Sequence, residues 1–97
     1  ADGALAEAVG LPAKKYIETH TIEFFDLSTN VPDEIISRWA SYIGTEIFLS
    51  SLMDPIGEGK AFTRKIALIC SELPDNVKKR INEFNEIIIK TIEEDNQ

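Results

Sequence analysis

His20 and Cys70, each the single residue of its type in this 97-residue chain, are the side chains whose chemistry reaches furthest. A thiol beside an imidazole forms a nucleophile and its base, usually with a third group that orients the base. Nothing in the sequence supports a third group in that role. A metal at His20 would have to borrow Glu23 and Asp26. The helical Glu-x-x-His pairing of carboxylate and imidazole is broken because Ile17 occupies the glutamate position. His20 therefore reads as a partly buried histidine on the face of Tyr16 and Phe24, and Cys70 as a small core residue.

Gly57-Glu58-Gly59-Lys60 has the glycines and the lysine of a phosphate-binding loop. It lacks the rest: Asp54 stands where the first glycine of that motif belongs and Ala61 where the magnesium-binding hydroxyl belongs. The stretch reads instead as a glycine-rich turn between helices. No catalytic residue, cofactor or metal is expected, and the chain is read as non-enzymatic.

Two charged sets could meet nucleic acid in opposite ways. Lys78, Lys79 and Arg80 stand at the start of a helical pattern that follows a short turn, the layout of a helix-turn-helix and a possible anion contact. Glu83 and Glu86 follow closely and would oppose phosphates. Conversely, Asp33, Glu34, Glu46, Asp54 and Glu58 could imitate a phosphate backbone in an acidic inhibitor of DNA-binding proteins. Lys14, Lys15 and Arg38 are the only basic residues before Lys60, so the negative excess belongs to the first part of the chain. With a net charge of −7, unassisted binding to nucleic acid or anionic lipid is disfavoured.

Length and composition, 43% hydrophobic and 28% charged, suit one soluble globular domain. A lone cysteine favours a reducing, cytoplasmic setting. No apolar run approaches the roughly 20 residues that cross a bilayer, and no basic start followed by an apolar run announces a secretory signal. Neither a membrane nor a disulfide framework is expected.

The elements that would position these residues form an all-α bundle of about four helices with a flexible N-terminal arm. Residues 1–12, with Gly3, Gly10 and Pro12, read as a loose arm running to about Ala13, and Glu93 to Gln97 as a solvated acidic tail. Tyr16, Ile17, His20, Phe24 and Leu27 recur at helical spacing between Pro12 and Leu27. The same stretch is rich in strand formers, with Ile22, Phe24 and Asp26 on one side of any strand. Pro32-Asp33-Glu34 opens a second helix that should run to about Met53, where Asp54-Pro55 stops it. A third spans about Lys60 to Leu73 with Phe62, Ile66, Ile69 and Leu73 on one stripe. A fourth follows Pro74 and carries Val77, Ile81, Phe84, Ile88 and Ile92 on one face.

At about 100° per residue, Trp39, Ala40, Ile43 and Ile47 lie within roughly 60° of Ile36, whereas Phe48, Leu49 and Leu52 fall near the opposite side. Gly44 precedes this switch at a cost of about 1 kcal/mol relative to alanine. Either the helix bends there or another backbone approaches closely. On the last helix Ile87 and Ile89 cannot share the stripe of Ile88. Burying one such side chain contributes roughly 1.5–3 kcal/mol, so leaving several in water forgoes much of a small domain's stability. The second helix could be covered on both sides within its own bundle. The alternative expectation is a protein partner or self-association through Phe48, Leu49, Leu52 and Ile89. The functional expectation is thus a protein–protein interaction module or assembly subunit, with a small regulator touching nucleic acid through the fourth helix, or the acidic DNA mimic, as rivals.

Overall fold

A computed structural model of the chain describes residues 3–96, with side chains from residue 10 onward. Five helices follow one another: α1 (Gly3–Thr19), α2 (Thr21–Ser28), α3 (Asp33–Ser50), α4 (Pro55–Ile69) and α5 (Asp75–Asp95), and no strand occurs among the described residues. The all-α expectation holds, with one helix more than four.

The extra helix comes from a break inside the first expected one. His20 leaves helical geometry at φ −132° and ψ 42° and becomes the N-cap residue of α2. The Thr19 hydroxyl lies 3.0 Å from the Lys15 carbonyl, and the Thr21 hydroxyl donates to the Ile17 carbonyl at 2.5 Å. Such back-bonding often bends helices, and α2 starts as a separate helix at Thr21. The strand alternative for this stretch is not realised.

The loose arm is corrected as well. From Gly3 onward its backbone is the first part of α1, and Pro12 is carried within the helix on the exposed side. Gly10 is the reason α1 can lie so close to α3: a Cβ there would stand 2.5 Å from the Tyr42 carbonyl oxygen and 2.9 Å from Glu46 Cβ. Ala1 and Asp2, the remainder of the expected arm, lie outside the described residues. At the other end Glu93, Glu94 and Asp95 finish α5 rather than forming a tail, and the Thr45 hydroxyl donates to Asp95 at 3.3 Å. Gln97 is outside the described residues.

α3 is the central element. It runs antiparallel to α1, as Gly10 on Tyr42 and Tyr16 on Trp39 show, and parallel to α5 from the Arg80–Asp33 ion pair to the Thr45–Asp95 bond. Ile36, Ala40, Ile43 and Ile47 form its buried stripe, as the sequence predicts. Gly44 resolves to a close approach: a Cβ there would stand 2.9 Å from Thr91 Cβ and 3.0 Å from the Ile88 carbonyl oxygen of α5. The bundle therefore covers both flanks of α3 over its middle turns.

α4 returns antiparallel along α5, with Asn85 donating to the Thr63 carbonyl at 3.2 Å. It starts five residues earlier than the sequence predicts. Asp54 accepts from the Gly57 amide at 3.0 Å as a true N-cap and Pro55 fills the first turn, so the glycine-rich stretch is helix and not turn. Its far end comes sooner too, at Ile69. The core closes around Phe25, Phe84, Ile17, Ile43, Ile88 and Ile92. α2 wedges in at one end, its Phe25 ring 5.1 Å from Phe84 and its Phe24 ring stacked 5.1 Å from Trp39.

Candidate interaction surface

α1 packs on α3 and α4 packs on α5, while α1 and α4 scarcely meet. α2 fills the space between them at one end. At the other end a cleft of about 600 Å³ remains, floored by the buried Ile47 and Phe62 and walled by Lys14 and Glu18 of α1 and by Glu58, Ala61 and Lys65 of α4. The Lys14 ammonium stands 5.3 Å from the centre of the Phe62 ring and 3.3 Å from a Glu18 carboxylate oxygen. A cation over a ring face, tethered to a carboxylate, keeps one wall polar above an apolar floor.

The rim of the cleft is the connection from α3 to α4. α3 ends at Ser50, whose hydroxyl donates back to the Glu46 carbonyl at 2.8 Å, and Ser51 departs to φ −110°, ψ 84°. Leu52 and Met53 follow with 92% and 96% of their surface exposed. They project from a connection of four residues, Ser51 to Asp54, anchored at both ends by helix termini. Such a pair presents apolar surface without the entropy of a long loop.

The four residues expected to form a partner face are not brought together as one patch. Leu52 lines the cleft; Leu49 is exposed on α3 but is not part of its lining, and Phe48 is half-buried. Leu52 also sits beyond the end of α3, so the wheel position that paired it with Phe48 and Leu49 does not apply. Ile89 is half-buried on α5, its Cδ1 3.3 Å from where a Cβ on Gly59 would stand, and so contributes to the α4–α5 seam. Met53, which periodicity did not single out, is the most exposed of the large apolar side chains described. Its sequence signal was the apolar pair directly before Asp54-Pro55.

The three cations at the start of α5 are also divided. Arg80 forms an ion pair with Asp33 and donates to the Val31 carbonyl at 3.3 Å, tying α5 to the start of α3. Arg80 and Lys79 border one shallow depression together with Glu83 and Asp33, whereas half-buried Lys78 borders another, beside Cys70 and Ile81. Of the acidic set, Asp33 pairs with Arg80 and Glu34 with Arg38 at 3.0 Å, Asp54 caps α4 and Glu58 borders the cleft, all four exposed, while Glu46 is buried beside Gly10.

His20 is exposed rather than partly buried, and so is Tyr16, whose face it shares. Its ring stacks 4.7 Å from Tyr16, and Nδ1 lies 2.8 Å from the Thr19 hydroxyl. Cys70 is buried at the C-terminal end of α4, and burial pushes its thiol pKa up, away from the nucleophilic thiolate. Among the described residues no three or more His, Cys, Asp or Glu side chains stand where they could share a metal ion, and no helix is long and apolar enough to cross a membrane. Comparison of the chain with protein-family models, with curated proteins and with solved structures found no match.

Proposed function

We propose that the chain is a non-enzymatic protein–protein interaction module, a subunit of a larger assembly, whose contact surface is the apolar rim of the α1–α4 cleft. The observation that carries this reading is the exposure of Leu52 and Met53 on a short, anchored connection. Water around two such side chains is unfavourable by roughly 1.5–3 kcal/mol each relative to burial. A partner that buries them recovers this and finds Ile47 and Phe62 beneath as a floor. Exposed apolar residues beside a cleft with a polar wall have the anatomy of a protein contact: an apolar centre and a charged rim, here Lys14, Glu18, Glu58 and Lys65.

The test is a paired capture from the cell of origin with the wild-type chain and with Leu52→Asp/Met53→Asp as bait, alongside a thermal melt of each. Proteins retained by the wild type and lost from an equally stable variant support the reading. The same retained set with both baits contradicts it.

A further inference from the structure

A second surface, on α2 and α4, carries charge of both signs arranged so that it complements itself. The outward side of α2 presents Ile22, Glu23, Asp26 and Leu27, with Leu27 61% exposed. The outward side of α4 presents Lys60, Arg64, Lys65 and Leu68, with Leu68 70% exposed, and no carboxylate occurs from Gly59 to Ser71. The two helices are neighbours, since Ile22 and Glu23 of one line a single depression with Ile69 of the other. Three ion pairs occur among the described residues: Lys14 with Glu18, Arg38 with Glu34 and Arg80 with Asp33. Glu23, Asp26, Lys60, Arg64 and Lys65 belong to none of them.

We infer that this face is the contact of a two-fold homodimer in which α2 of each copy lies on α4 of the other. A partner of one sign would satisfy one helix and be repelled by its neighbour. A second copy turned by 180° meets acid with base on both helices at once, because in an isologous interface every contact occurs twice. Ile22, Leu27, Leu68 and Ile69 supply the apolar centre, and the five unpaired charges supply the rim that sets orientation. Leu52 and Met53 are not part of this face, and Lys65 alone borders both it and the cleft.

The experiment is sedimentation velocity on the full chain from low to high micromolar concentration, with three variants whose folding is checked by circular dichroism. The wild type is expected to shift from one to two chain masses with rising concentration. Leu68→Asp, which places a charge in the apolar centre, should raise the dissociation constant at least tenfold. Glu23→Lys/Asp26→Lys makes both helices basic, and Lys60→Glu/Arg64→Glu, at positions outside the cleft, makes both acidic. Each should be monomeric alone, and mixing the two should restore a dimer containing one chain of each. A wild-type monomer throughout the range overturns the inference, as does a mixture of the two charge variants that stays monomeric. Either result leaves the Leu52 and Met53 capture experiment to decide the proposed function on its own.

Discussion

The two ends of α3 solve opposite problems. Around Gly44 the helix is in contact on both flanks: α5 comes so near that no Cβ fits without displacing Thr91 or the Ile88 carbonyl, and α1 is drawn in a turn away by Gly10. Past Ser50 the same strand of chain turns out of the helix and leaves Leu52 and Met53 in water. Both regions are rich in apolar atoms, and only one of them is a core. Gly10 and Gly44 permit a neighbouring backbone to approach α3, whereas Leu52 and Met53 lie beyond its end, outside that contact.

The contrast can be broken first at Ile43, which is fully buried in the middle of α3. Ile43→Asp places an unpaired carboxylate in the core, a penalty comparable to the roughly 5–15 kcal/mol that holds a small domain together. We expect no cooperative melt and collapsed chemical-shift dispersion. Gly44→Ala sharpens the contrast more gently. Helix propensity favours alanine by about 1 kcal/mol, but overpacking against the α5 backbone costs about 1–3 kcal/mol. Chemical denaturation should show a net loss on the order of 1 kcal/mol, and a gain would mean that α5 moves aside freely.

Cys70 yields a smaller, pH-dependent effect. Burial raises its folded pKa above the unfolded value, so its contribution to stability is complete below the ordinary thiol range and is lost as pH rises through the raised folded value. The melting temperature should therefore decline on the alkaline side more steeply for the wild type than for Cys70→Ala. In native buffer the thiol should react with alkylating reagents only as fast as the domain opens.

The long apolar stripes were legible in the residues alone. Ile36, Ala40, Ile43 and Ile47 on α3, and Val77, Ile81, Phe84, Ile88 and Ile92 on α5, recur at helical spacing and are all buried. The ends were harder because punctuation residues carry two meanings. Asp54-Pro55 reads as a stop for α3, yet the same pair is the N-cap and first turn of α4, so the helix begins before its glycines rather than after them. Glycine marks a turn in isolation, whereas Gly59 serves the contact of α4 with Ile92 and Gly10 that of α1 with α3. The break at His20 left little periodic trace, since Tyr16, Ile17 and Phe24 continue a helical spacing across it; the back-bonding threonines on either side are what end α1.

After Gly44 the helical wheel extends past the end of α3, which lies at Ser50. The wheel points Leu52 away from Ile36, whereas its exposure follows from lying outside the helix. Arg80 shows the converse: it reads as a free cation beside Lys78 and Lys79 because its partner Asp33 is distant in sequence.

The most direct measurement compares Leu52→Asp/Met53→Asp with the wild type in two assays on the same preparations, denaturant unfolding and retention of the captured partner. The unfolding free energy is expected to stay within about 0.5 kcal/mol of the wild type, as for exposed positions generally, while affinity for the partner falls at least about tenfold, equivalent to about 1.4 kcal/mol. Unfolding of the double variant to the extent expected for Ile43→Asp, or retention of the partner at wild-type strength, would contradict the account.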